Sequence, residues 1–163
     1  MTAPKPANED QRLAALRDLL ILDTDPEERF DRITLFAKSE FDVPMAIISL
    51  VDEERQWFKS RVGLGVQETC RDVAFCSHAI LGEDCLVIPD ALLDHRFSDN
   101  PLVRGDPWIR FYAGAPLRLP SGFSVGSLCI LDTRPRTIDH TDLAILCSLR
   151  DLVVEELVRR EVP

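Results

Sequence analysis

Arg110 and Tyr112 stand two residues apart in the run WIRFYAGAPLRLPSGFSVGSLCILD (108–132). On a strand that spacing puts a guanidinium and a phenol on one side, with Gly114 and Arg118 beside them. Phe111, Ala113, Ala115, Leu117 and Leu119 take the other side. One face is core; the other is furnished as a small polar pocket. A guanidinium held there pairs two N–H groups with a carboxylate or phosphate. Phe75, His78, Asp90, Arg96, Phe97 and Asn100 complete a set of apolar walls with a few fixed polar groups, the usual make-up of a ligand site. The same charges admit a plainer reading, in which Asp90, Arg96 and Arg110 pin a long loop through ion pairs and no ligand binds.

Cys76 and Cys85 are the candidates for thiol chemistry. His78 lies one helical face from Cys76 and would lower its pKa, as a redox sensor requires. Cys76, His78, Cys85 and His95 are all zinc-ligand types, but their spacing matches no structural zinc pattern, so neither metal nor cofactor is expected. The five cysteines are odd in number and scattered, and the first residues, MTAPKPANED, lack a signal-peptide layout. A reduced, cytoplasmic protein follows from both observations. A net charge of −9 disfavours nucleic acid and anionic membrane as partners. No stretch has the length and purity of a membrane span. At 163 residues the chain suits one domain and buries about 70% of its extended surface, enough to fold without metal or disulfide.

The elements that position these residues follow from punctuation and period. Residues 1–8 read as a flexible tail and 9–163 as a single domain. Glu9–Leu22 carries Leu13, Leu16 and Leu20 at helical spacing. Asp25 reads as an N-cap, with Pro26 at the first helical position and Glu28 three residues after the cap. The helix that follows stripes Phe30, Ile33, Ala37 and Phe41 and stops before Pro44. MAIISLV (45–51) is a strand buried on both faces, and Asp52–Arg55 turns it into a second strand over Trp57–Val62. Trp57 and Phe58 read as core or a dimer contact. A short helix (AFCSHAIL) ends near Gly82, a brief strand covers Leu86–Ile88, and a long turn-rich connection fills 91–107, a length that is more often functional than idle. After the 108–132 hairpin, Asp139 caps a last helix whose apolar stripe is wider than one sheet face can bury. The order is α+β with an antiparallel sheet, since no clean βαβ crossover occurs.

That order, carried by LLILDTDPEERFDRIT (19–34), ISLVDEERQWFKSRVGL (48–64), RDVAFCSHAI (71–80), IPDALLDHRFSDNPLV (88–103) and IRFYAGAPL…GSLCILDTRPR (109–136), resembles a GAF domain. It is similar in particular to the bacterial GAF domains found ahead of histidine kinases and diguanylate cyclases, or standing alone. The resemblance implies a central sheet with the terminal helices on one face and a ligand pocket under short helices and loops on the other. It implies a sensory domain that is not itself an enzyme, relays the state of a small-molecule ligand through its terminal helices in a homodimer, and serves a histidine kinase or diguanylate cyclase partner. Ser77 separates Cys76 from His78, against bilin attachment. The Asn-Lys-Phe-Asp-Glu signature of cyclic-nucleotide-binding relatives is absent. RFYAGAP holds no cysteine where the free methionine sulfoxide reductases of this fold carry theirs. Two rival readings stand beside it: a thiol-based redox sensor or reductase using Cys76 or Cys85, and a ligand-free dimerisation scaffold.

Overall fold

The computed structural model describes residues 1–159. The last four residues of the expected domain therefore lie outside the described residues. Two helices lead, α1 (Glu9–Asp18) and α2 (Glu28–Phe41). A hairpin of β1 (Met45–Val51) and β2 (Arg55–Val62) follows, then β3 (Glu68–Cys70), a short helix α3 (Cys76–Ala79), β4 (Leu86–Ile88) and another short helix α4 (Pro101–Arg104). A second hairpin, β5 (Phe111–Arg118) and β6 (Ser124–Asp132), leads to the long final helix α5 (His140–Val158). The six strands form one sheet in the order β3-β2-β1-β6-β5-β4, every pair antiparallel. This is the α+β arrangement expected from the sequence.

Period-two alternation sorts the side chains into two cores. Ala46, Ile48 and Leu50 of β1 and Phe111, Ala113, Ala115 and Leu117 of β5 face α2 and α5, where Phe30, Ile33, Ala37, Leu146, Leu149 and Val153 cover them. On the opposite face Ile47, Phe58, Tyr112, Cys129 and Leu131 pack beneath Phe75, Phe97 and Val103 of the connecting segments. Trp57 joins the first core and Phe58 the second. Asp139 caps α5 as expected, its Oδ1 accepting the Asp142 N–H at 2.8 Å. Gly63, at φ +81, lies against the Pro44 carbonyl and leaves no room for a Cβ, which closes the first hairpin.

The start of α2 differs from expectation. The helix begins at Glu28, and Asp25 caps nothing. The cause is Lys59, whose ammonium is fully buried beside this segment. It donates to the Asp25 carbonyl (2.5 Å) and Thr24 Oγ1 (2.7 Å) and pairs with Glu27 at 2.7 Å. A buried charge needs such partners, and meeting them holds Thr24–Glu27 extended against β2. A second buried cation, Arg12, donates in bidentate fashion to Glu9 (both 2.9 Å) and to the Val51 carbonyl at 2.7 Å. Arg71 reaches the same Glu9 carboxylate at 2.5 Å, tying α1 to the segment after β3.

Candidate functional site

The sheet face away from the terminal helices carries a cavity of about 240 Å³. Tyr112 of β5, Cys129 and Leu131 of β6, and Phe58 of β2 form its floor; Phe75, Cys76, Leu102 and Ile109 close over them. Its walls are mainly apolar, and no lysine or arginine lines it. The polar groups that reach it are Gln56, Glu68, Thr69, Asp106, Tyr112 and two thiols. A wider cleft of about 540 Å³ opens between Asp23–Pro26 and β2, but the cation lining it, Lys59, is already paired with Glu27, Thr24 and the Asp25 carbonyl.

The expected site residues divide by place. Phe75 and Tyr112 line the cavity. Phe97 stands directly behind, stacked on Phe75 with ring centroids 4.3 Å apart, and Phe75 meets Tyr112 at 5.2 Å. His78 packs edge-on to Phe97 at 4.7 Å and turns its Nε2 to the Met1 carbonyl at 3.0 Å, away from the cavity. Burial holds the His78 pKa below its ordinary value. Asp90 accepts the Leu92 N–H at 3.1 Å and sets the turn after β4. Arg96 pairs in bidentate fashion with Asp94, at 3.0 and 2.7 Å. Asn100 caps α4 by accepting the Leu102 N–H (2.8 Å) and donates to the Val73 carbonyl (3.0 Å), strapping the long connection to the segment before α3.

Arg110 donates to the Val103 and Ile109 carbonyls at 2.8 and 3.0 Å. Its guanidinium serves the backbone of the roof, and the cavity receives no cation from it. The glycine gap at Gly114 is occupied as well, because the Tyr112 phenol lies where a Cβ would stand.

The sulfur of Cys76 comes down from α3 onto the polar groups of the cavity floor. Ser127 Oγ donates to it at 2.9 Å, the Tyr112 hydroxyl lies at 3.4 Å and Cys129 Sγ at 4.0 Å. Hydrogen bonding from Cys129, against the opposing effect of burial and with help from Ser127, Tyr112 and Ser49, lowers the Cys76 pKa to about 6. His78 is not among the causes. Cys129 moves the other way, raised by its hydrogen bond to Cys76 and by burial, and burial likewise raises Tyr112. Cys85 lies elsewhere, packed toward the helix-side core with Cys147 Sγ 3.3 Å away, and burial and Cys147 push it up to about 12. Among the described residues no three His, Cys, Asp or Glu side chains gather as a metal site requires.

Sequence reasoning passed over Ser127, Cys129, Gln56 and Phe58. The signal for two of them was present: register pairs Tyr112 with Leu131 and Gly114 with Cys129, so Ser127, Cys129 and Leu131 share the Tyr112 face.

The GAF domain family model matches residues 25–157. A cyclic di-GMP phosphodiesterase of Pseudomonas aeruginosa is 43% identical over 157 residues, which is 96% of this chain and 27% of that protein. The chain thus spans about a quarter of that relative. The free methionine-R-sulfoxide reductase of Neisseria meningitidis superposes with a TM-score of 0.65 at 16% identity, covering 96% of each chain. The GAF domain of an Acinetobacter phosphoenolpyruvate-protein phosphotransferase gives 0.64 at 16% identity, over 90% of this chain and 92% of that one. These findings overturn the expectation that the chain is not an enzyme. The relative at 43% identity and the Neisseria neighbour both bear the names of enzymes. That expectation came with the resemblance to sensory domains of the family, whose fold the reductase neighbour shares. No helix among the described residues is long and apolar enough to cross a membrane.

Proposed function

The chain belongs to the GAF domain family, and from that premise we propose that it is a small-molecule-binding, regulatory domain of bacterial signal transduction. The observation that carries this reading is the cavity of about 240 Å³ beneath Phe75 and Leu102. The ligand of this reading is small, uncharged and largely apolar: the walls are mainly apolar, and an anion would find no cation there and would meet Glu68 and Asp106. A cyclic dinucleotide, with two phosphates and two guanines, is not the occupant. The phosphodiesterase relative supports a place for the domain in cyclic di-GMP turnover, and a histidine kinase or diguanylate cyclase is the other partner we consider.

Occupancy would draw the α4 segment and Asp106–Ile109 onto the sheet, and β5 and β6 carry the change to α5 on the far face. Ligand shifts such an equilibrium only by its differential affinity for the two states. We place the output in a homodimer through α2 and α5. We also retain residues 9–163 as one domain, with 1–8 as its tail. A melting-temperature screen against small neutral metabolites, with native mass spectrometry of the hits, tests the reading. A screen in which no compound of that class moves the transition contradicts it.

A further inference from the structure

We propose that Cys76 and Cys129 form a redox-active dithiol that reduces a small organic hydroperoxide held in the cavity. This inference rests on the cavity being a binding site and names the chemistry performed there. Both cysteines line the cavity, one at the start of α3 and one on β6, with their sulfurs 4.0 Å apart. A disulfide needs about 2.05 Å, a gap short enough for side-chain rotation to close.

The two thiols are prepared for different tasks. Donors converge on Cys76, from Ser127 at 2.9 Å and Tyr112 at 3.4 Å, and favour its thiolate. Cys129, whose S–H faces the Cys76 sulfur at 4.0 Å, keeps its proton and remains a thiol. A nucleophile and a protonated resolving partner are thus placed side by side. The lining suits the substrate class: a hydroperoxide is neutral, and its organic group would meet Phe58, Phe75 and Leu131.

In the reaction the Cys76 sulfur attacks the terminal peroxide oxygen. An S–O bond forms as O–O breaks, and the alkoxide leaves as the alcohol on taking a proton, giving Cys76 sulfenic acid. Cys129 then attacks that sulfur, an S–S bond replaces S–O, and the hydroxyl leaves as water with the Cys129 proton. Two thiols and one hydroperoxide give one disulfide, one alcohol and one water. A dithiol reductant restores the starting pair.

The test treats the reduced chain with one equivalent of cumene hydroperoxide, blocks residual thiols with iodoacetamide and maps peptides by mass spectrometry. The expected result is a Cys76–Cys129 cross-link with one cumyl alcohol released per disulfide. It forms about tenfold faster than with hydrogen peroxide, which has no apolar group to bury. Cys129→Ser stops at a Cys76 sulfenic acid that dimedone captures, and Cys76→Ser releases no alcohol. The proposal is overturned if both thiols stay alkylatable after the alcohol appears, if the only cross-link joins Cys85 to Cys147, or if hydrogen peroxide reacts as fast. Should either variant fail to fold, the wild-type map decides. Cumyl alcohol, which lacks the O–O bond, separates this failure from failure of the cavity reading. If it raises the melting temperature while the hydroperoxide leaves Cys76 and Cys129 reduced, the dithiol is wrong and the cavity stands; if neither compound moves the transition and the thiols stay reduced, the dithiol fails and the metabolite screen decides the cavity.

Discussion

The Tyr112 ring lies across the Cα of Gly114, its hydroxyl occupying the place a Cβ would take. That contact lets one phenol lie 3.4 Å from Cys76 Sγ and 3.3 Å from Ser127 Oγ at the floor of the cavity. Residue 114 thus fixes a site group without itself lining the site.

Gly114→Ala forces the ring away. Overpacking of this kind costs about 1–3 kcal/mol. The expected outcome is a lower urea midpoint and loss of the hydrogen bonds around Cys76, read as a rise in its pKa. A variant with unchanged stability and unchanged thiol reactivity would show that the ring is not held by this gap.

Glu9 supplies a pH prediction. Burial opposes its ionisation, but hydrogen bonds from Arg12 and Arg71 win and lower its pKa from 4.5 to about 2. The folded value lies below the unfolded one, so the stabilisation is fully present above about pH 4.5 and drains away as pH falls toward 2. Glu9→Gln strands the buried Arg12 guanidinium and costs about 3–5 kcal/mol at neutral pH. Urea titrations of both proteins should show that difference shrinking below pH 4.5. A constant difference down to pH 2 would contradict the assignment.

The homodimer predicts a surface. Leu35 and Phe36 of α2 are 57% and 52% exposed, and Leu152 and Val158 of α5 are 47% and 40% exposed. Apolar side chains left that open on neighbouring helices are the surface the proposed homodimer would bury. Light scattering should give a dimer for the wild type and a monomer for Leu152→Glu, with the melting temperature of the monomeric core little changed. A monomeric wild type at high concentration removes the dimer from the relay.

Thiol reactivity separates the cysteines. With Cys76 at about 6 and Cys85 at about 12, only the first is a thiolate at neutral pH. Methyl methanethiosulfonate, small enough to enter the cavity, should label Cys76 first, with a rate that climbs through pH 6 and then levels. Equal labelling of both at pH 7 would contradict the network around Cys76.

The two faces of the sheet were legible because alternation is a local property: Phe111, Ala113, Ala115 and Leu117 fall on the helix side and Tyr112 on the other. The order of elements was legible for the same reason. Arg110 was not. It precedes β5, and its long side chain swings to the Val103 and Ile109 carbonyls, which no period encodes. The Asp25-Pro26 helix start failed because Lys59, distant in sequence, takes the Asp25 carbonyl. Activation of Cys76 was legible but its cause was not: His78 turns away to the Met1 carbonyl, and Cys129 and Ser127 reach the sulfur from β6, a contact made only by tertiary packing.

If the cavity beneath Phe75 and Leu102 holds a small uncharged ligand, a cavity-filling variant abolishes its binding. A ligand at 100 times its dissociation constant stabilises the native state by about 2.7 kcal/mol, roughly 5–10 °C for a chain of this size. Paired melting curves of the wild type and Leu102→Trp should show that shift in the first and none in the second. An equal shift in both proteins would place the ligand elsewhere and contradict the account.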